Sequence, residues 1–143
     1  MYNLTKFKIK KPANDVFEAF VDPAKIKNFW FSSAARWEQG KTVSLRYEEY
    51  KAEVDIEVIE VLPNKKIVYR WGTDGQGNIV TISLEELDSS STIIEITEEG
   101  FREDDDELIS NLLDNKEGWV FMLTCLKGYL EFGINQLRGA IVK

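Results

Sequence analysis

Gly118-Trp119-Val120-Phe121-Met122-Leu123-Thr124-Cys125-Leu126-Lys127-Gly128-Tyr129-Leu130-Glu131 is the middle of a long apolar helix that follows a run of strands. Trp119, Val120, Leu123, Leu126, Leu130, Ile134 and Leu137 recur at helical intervals, so the spacing predicts a helix from about 115 to 137. It is the only element long and apolar enough to fill a curved sheet. Immediately before it, the acidic run Glu103-Asp104-Asp105-Asp106-Glu107 suits the positive end of a helix carrying Leu108, Ile109, Leu112 and Leu113. Asp114 to Glu117 then reads either as a joint or as a continuous turn.

The strands lie upstream. Val43, Leu45 and Tyr47 share a face, as do Ala52, Val54, Ile56 and Val58, whose alternates Glu53, Asp55 and Glu57 must face water. Leu62-Pro63-Asn64-Lys65 is a turn, after which Ile67, Tyr69 and Trp71 form an inward row. The Gly-rich segment from Gly72 to Asn78 closes a hairpin. The last two strands carry Val80, Ile82 and Leu84, then Thr92, Ile94, Ile96 and Glu98, each set on one face. Consecutive hairpins make an antiparallel meander with no room for crossover helices.

Residues 1–9 alternate as a first strand. Val16, Phe17, Phe20 and Val21 then have helical spacing behind Pro12, and Asp22-Pro23 caps and starts a second short helix before Ile26, Phe29, Trp30 and Phe31. The order is strand, two short helices, strands, long helix, and no repeat or linker divides the 143 residues, so residues 1–143 read as one α+β domain. A domain of this length buries roughly two-thirds of the surface its unfolded chain exposes.

Composition excludes several roles. With 43% hydrophobic and 30% charged residues, and no apolar run near the about 20 residues of a span, the chain reads as soluble with no integral membrane association. A start without a basic region, apolar block and cleavage site predicts a cytoplasmic protein. The net charge of −7 disfavours nucleic acid and anionic lipid. There is no histidine, which removes the commonest general base and metal ligand. No metal, cofactor or catalytic residue is assigned. The acidic run lacks the alternating oxygen ligands, central Gly and distal Glu of a calcium loop. Cys125, the only cysteine, reads as a small core side chain.

Phe29-Trp30 after the second helix, Trp37-Glu38-Gln39-Gly40 before the meander, Gly100-Phe101 after it, and Gly118-Trp119 opening the long helix together resemble the START-like helix-grip superfamily. The nearest resemblance is to the family of the C-terminal domain of the activator of the ninety-kilodalton heat-shock protein ATPase, and it spans essentially the whole chain. It implies a curved antiparallel sheet wrapped around the C-terminal helix, and a superfamily of lipid and hormone binders, polyketide cyclases and allergens. The expected role is therefore non-catalytic binding of a small hydrophobic or amphipathic molecule between sheet and helix. Trp30, Tyr47, Tyr69, Trp71, Glu98, Trp119 and Leu123 are its candidate walls. Two alternatives stand: a protein-interaction module with a chaperone partner, and a cyclase- or hydrolase-like enzyme using Glu98 and a Tyr. A homodimer through an edge strand or the Phe29-Trp30-Phe31 patch is also left open.

Overall fold

The computed structural model describes residues 1–142. Seven strands form one antiparallel sheet: β1 (Tyr2–Ile9), β2 (Ser32–Ser33), β3 (Thr42–Tyr47), β4 (Ala52–Leu62), β5 (Lys66–Trp71), β6 (Ile79–Asp88) and β7 (Ser91–Glu99), in the order β1-β7-β6-β5-β4-β3-β2. The first strand thus pairs with the last, and α1 (Ala13–Val21) and α2 (Pro23–Ile26) carry the chain to the opposite edge. The long helix α3 (Leu108–Phe132) buries Trp119, Met122, Leu123, Cys125 and Leu126 in one core with the inward side chains of the sheet.

The short helices start as their residues dictate. Asp22 Oδ1 accepts the Ala24 N–H at 2.9 Å with Pro23 in the first turn of α2. At α1, where Pro12 supplies no capping side chain, the Ala13 N–H donates instead to Glu86 Oε1 on β6 at 2.9 Å. Phe20 on α1 meets Phe29 edge-on at 5.3 Å and Trp30 at 6.2 Å, so the aromatic residues after α2 are locked into the core. Phe29 and Trp30 are buried and Phe31 half-buried.

Four points qualify these expectations, two of them as corrections. First, α3 is one continuous 25-residue helix from Leu108, so of the two readings of Asp114 to Glu117 the continuous turn holds. Second, it ends at Phe132, because Gly133 takes a left-handed conformation (φ 69°) and turns its N–H back onto the carbonyls of Gly128 and Tyr129. Ile134 and Leu137 therefore lie in the tail beyond the helix. Third, Val120 faces outward and Met122 takes a core position beside Leu123, with Cys125 in the core as expected. Fourth, β4 carries a bulge at Ile59, where Val58 opposes Tyr69 and Glu60 opposes Val68, so that beyond it Val61, opposite Ile67, returns to the core side.

The inward face of β1 changes character along its length. Ile9 and Phe7 join the core, but Thr5 and Asn3 follow on the same face while Tyr2 and Leu4 point to solvent. Asn3 opposes Glu98 of β7. The free edge of β1 is covered from α3: Lys116 Nζ donates to the Leu4 carbonyl at 2.6 Å and Lys127 Nζ to that of Lys8 at 2.9 Å. The other edge, β2, is two residues long. No helix among the described residues is long and apolar enough to cross a membrane.

Candidate ligand cleft

Between the end of the sheet, the Asn115 to Met122 stretch of α3 and the tail lies an open cleft of about 610 Å³. Its walls are aromatic. Trp30 sits at the centre of a chain of ring contacts, with Trp119 at 5.5 Å, Trp71 at 6.2 Å and Phe31 at 5.3 Å, and Phe31 leads on to Tyr47 at 5.0 Å and Tyr47 to Tyr50 at 4.7 Å. On the helix, Asn115, Gly118, Trp119 and Met122 line the cleft at i, i+3, i+4 and i+7, the spacing of one face. Gly118 leaves that face open, for a Cβ there would meet nothing within 4 Å.

Glu98 forms the polar floor. The alternation of β7 that turns Ile94 and Ile96 inward carries Glu98 inward too, and its side chain is only 5% exposed. Among the described residues, no basic side chain meets it. Instead Oε1 accepts N–H groups from Asn115 Nδ2 at 2.9 Å, Trp119 Nε1 at 3.2 Å and Trp71 Nε1 at 3.4 Å, and Oε2 accepts Asn78 Nδ2 at 3.0 Å. Asn115 is oriented in turn by Asn3, whose Nδ2 donates to Asn115 Oδ1 and to the Leu112 carbonyl, each at 2.9 Å. A carboxylate with four donors and no counter-ion has its charge spread by hydrogen bonds but not neutralised.

Two glycines make this floor possible. A Cβ at Gly77 would lie 1.7 Å from the Trp71 carbonyl oxygen, and one at Gly100, where φ is +120°, would lie 2.4 Å from Asn78 Oδ1. Both bring the loop carrying Asn78 close enough for its amide to reach Glu98.

The tail closes one side of the mouth. Tyr47 Oη donates to the Arg138 carbonyl at 2.6 Å, and the Ile141 N–H donates to Tyr50 Oη at 3.1 Å, which sets Ile141 in the wall. The Arg138 guanidinium lies 4.8 Å from the centre of the Tyr47 ring, donates to the Lys27 carbonyl at 2.9 Å, and pairs with Glu48 at 3.2 Å and Glu49 at 3.3 Å.

Of the residues expected to form walls, Trp30, Tyr47, Trp71, Glu98 and Trp119 line the cleft. Tyr69 and Leu123 do not: both are fully buried beneath it, Tyr69 against Trp37 at 5.3 Å and Trp71 at 5.1 Å. The Tyr69 hydroxyl has no hydrogen-bond partner among the described residues, and burial, with the charge of Glu98 adding to it, raises its pKa well above the phenol range. Burial also raises Tyr47, so neither phenol is a base at neutral pH. Tyr50, Asn115, Gly118, Met122 and Ile141 were not singled out from sequence. The 115-118-119-122 stripe carried a usable signal, a Gly and an Asn interrupting an apolar helical face. Tyr50 and Ile141 carried none, because their place depends on where the tail folds.

The profile of the family described as "Activator of Hsp90 ATPase homolog 1-like protein" matches residues 10–131. Among solved structures, the protein SSP2350 from Staphylococcus saprophyticus is 47% identical over 94% of this chain and 95% of its own, with a TM-score of 0.82. The Aha1 dimer from Colwellia psychrerythraea (21% identity, 93% and 98% covered, TM-score 0.76) and DynU16, a putative protein in the dynemicin biosynthetic locus (20% identity, 94% and 48% covered, TM-score 0.79), share the fold. No protein of curated function matches the chain. With a matched segment running from the end of β1 almost to the end of α3, over the same helix-grip α+β architecture, the chain belongs to the family of activator of Hsp90 ATPase homolog 1-like proteins.

Proposed function

We propose that the domain is a non-catalytic binder of a small amphipathic molecule, held in the cleft between the sheet and α3. The observation that carries this reading is an open, aromatic-walled space of about 610 Å³ with a single buried acidic group at its floor. Ligand sites of this size combine apolar burial with a few oriented polar groups. Trp30, Trp71 and Trp119 would supply the apolar contact, at about 25 cal/mol per Å² removed from water, and Glu98 the orientation. The test is native mass spectrometry of protein purified from its own host, paired with a thermal-shift screen of amphipathic compounds. A co-purified small molecule, or a concentration-dependent rise in melting temperature lost in Trp119→Ala that remains folded, supports the reading. Empty protein and no shift from any compound refute it.

A second reading, a protein-interaction module, draws on the first turns of α3. Ile109 and Leu113 are 73% and 67% exposed, one turn apart, directly after the acidic run 103–107. A basic partner with an apolar groove would suit them. That reading predicts salt-sensitive capture of a partner protein that Leu113→Lys abolishes, with compounds bound in the cleft making no difference.

A further inference from the structure

Resting on the cleft-binding reading, we infer that the cleft selects molecules whose polar head is a protonated amine over neutral or anionic molecules of the same apolar body. Among the described residues lining it, the charged ones are Glu98 and Asp114, and both are acids. The nearby cations are engaged elsewhere. Lys116 and Lys127 of α3 give their ammonium groups to the β1 carbonyls of Leu4 and Lys8. Arg138 lies between Glu48 and Glu49, so its surroundings carry more negative than positive charge.

Glu98 adds a specific attraction to this general one. It is nineteen-twentieths buried, yet its four partners are all uncharged N–H donors, and its charge has no counter-ion. Three of the donors converge on Oε1 and only Asn78 reaches Oε2. A carboxylate oxygen has two acceptor positions, so Oε2 retains one for an ammonium N–H. Trp30, Trp71 and Trp119 line the same space, and an indole ring whose face a cation reaches attracts it as well. A bound carboxylate would meet Glu98 in a partly desolvated site where no described lining residue is basic and able to offset the repulsion. The ligand class is thus a primary or substituted amine on an aromatic or alicyclic body.

The test compares naphthylethylamine, naphthylethanol and naphthylacetate by isothermal titration calorimetry, with the indole N–H resonances of Trp71 and Trp119 as local reporters. The expected order is amine, alcohol, acid, the amine binding about tenfold or more tighter than the alcohol, and the two indole signals shifting with the amine. In Glu98→Gln the amine and alcohol affinities should converge. An alcohol or acid that binds the wild type as well as the amine overturns the inference and leaves the cleft reading standing. If none of the three binds, the inference falls, and the cleft reading is decided by the native mass spectrum and the wider thermal-shift screen. A folded Glu98→Gln that keeps the full amine preference removes Glu98 from the role. The wild-type ranking needs no variant, so a Glu98→Gln chain that fails to fold does not rescue the inference.

Discussion

Replacing Glu98 with Leu tests whether the polar floor holds the fold or burdens it. Two opposing effects meet there. A buried carboxylate without a counter-ion is costly to desolvate, by several kcal/mol. Against this stand four hydrogen bonds from Asn78, Asn115, Trp71 and Trp119, each charge-assisted and each contributing about 1.5–3 kcal/mol. Leucine fills nearly the same volume, removes the desolvation cost, and leaves all four donors without an acceptor. Trp71 and Asn78 are half-buried near the open cleft and can turn toward water. Trp119 is only 4% exposed and Asn115 is held by Asn3, so these two stay orphaned at about 1–3 kcal/mol each. The net expectation is a loss of about 3 kcal/mol. With a urea slope of about 1.5 kcal/mol per M for a domain of this size, the midpoint should fall by about 2 M. Glu98→Gln keeps one acceptor oxygen and should fall about half as far. Equilibrium urea denaturation followed by tryptophan fluorescence measures both. A midpoint for Glu98→Leu that is unchanged or higher would refute the reasoning, since desolvation would then outweigh the hydrogen bonds.

Gly100→Ala should cost roughly 1–3 kcal/mol, from a side chain placed at φ +120° and driven against Asn78, and should shift the Trp71 indole resonance as Asn78 leaves Glu98; a thermal melt and an NMR spectrum check both. Cys125 is buried, and that burial, opposed by Arg138, pushes its thiol up to about 11, so iodoacetamide should leave the native protein unmodified at neutral pH and alkylate it fully in denaturant. Acid should remove stability through three glutamates. Glu18 is held below the usual 4.5 by its two 2.9 Å bonds from Arg36, and Glu48 by the Ser32 hydroxyl first and Arg138 after it. Glu131 is pushed up by burial but pulled lower by the Lys10 N–H and Lys127. Lowered folded values mean that this contribution is complete above about pH 4.5 and lost as pH falls through them, and a series of urea midpoints from neutral to about pH 3 should decline accordingly. Arg36→Met removes the Glu18 share, so its urea midpoint should lie below that of the wild type at neutral pH, decline less as pH falls, and approach the wild-type value near pH 3.

The fold was legible because its signals are local. Ile67, Tyr69 and Trp71, or Ile94 and Ile96, announce a buried strand face through alternation alone, and Asp22-Pro23 announces a helix start. What escaped is set by long-range geometry. The bulge at Ile59 that returns Val61 to the core side is defined only by pairing with β5, and the end of α3 turns on the left-handed conformation of Gly133, which a glycine allows but does not announce. The site divides in the same way. Glu98 was visible by phase, and its neighbours Trp71 and Trp119 by composition. Their meeting with Asn78 and Asn115 required a hairpin loop, the helix and two strands to converge, and Tyr69, in phase with the wall, falls behind it because Trp71 stands in front.

Gly118 marks a conflict inside α3. An alanine in mid-helix is favoured over glycine by about 1 kcal/mol, and here the added methyl would displace no atom, since nothing lies within 4 Å of its position. The helix is therefore weaker at this point than its own packing demands, and the vacancy that the weakness maintains opens onto the cleft between Asn115 and Met122. Gly118→Ala should raise the melting temperature while narrowing that space, so thermostability and room for an occupant trade against each other at a single atom.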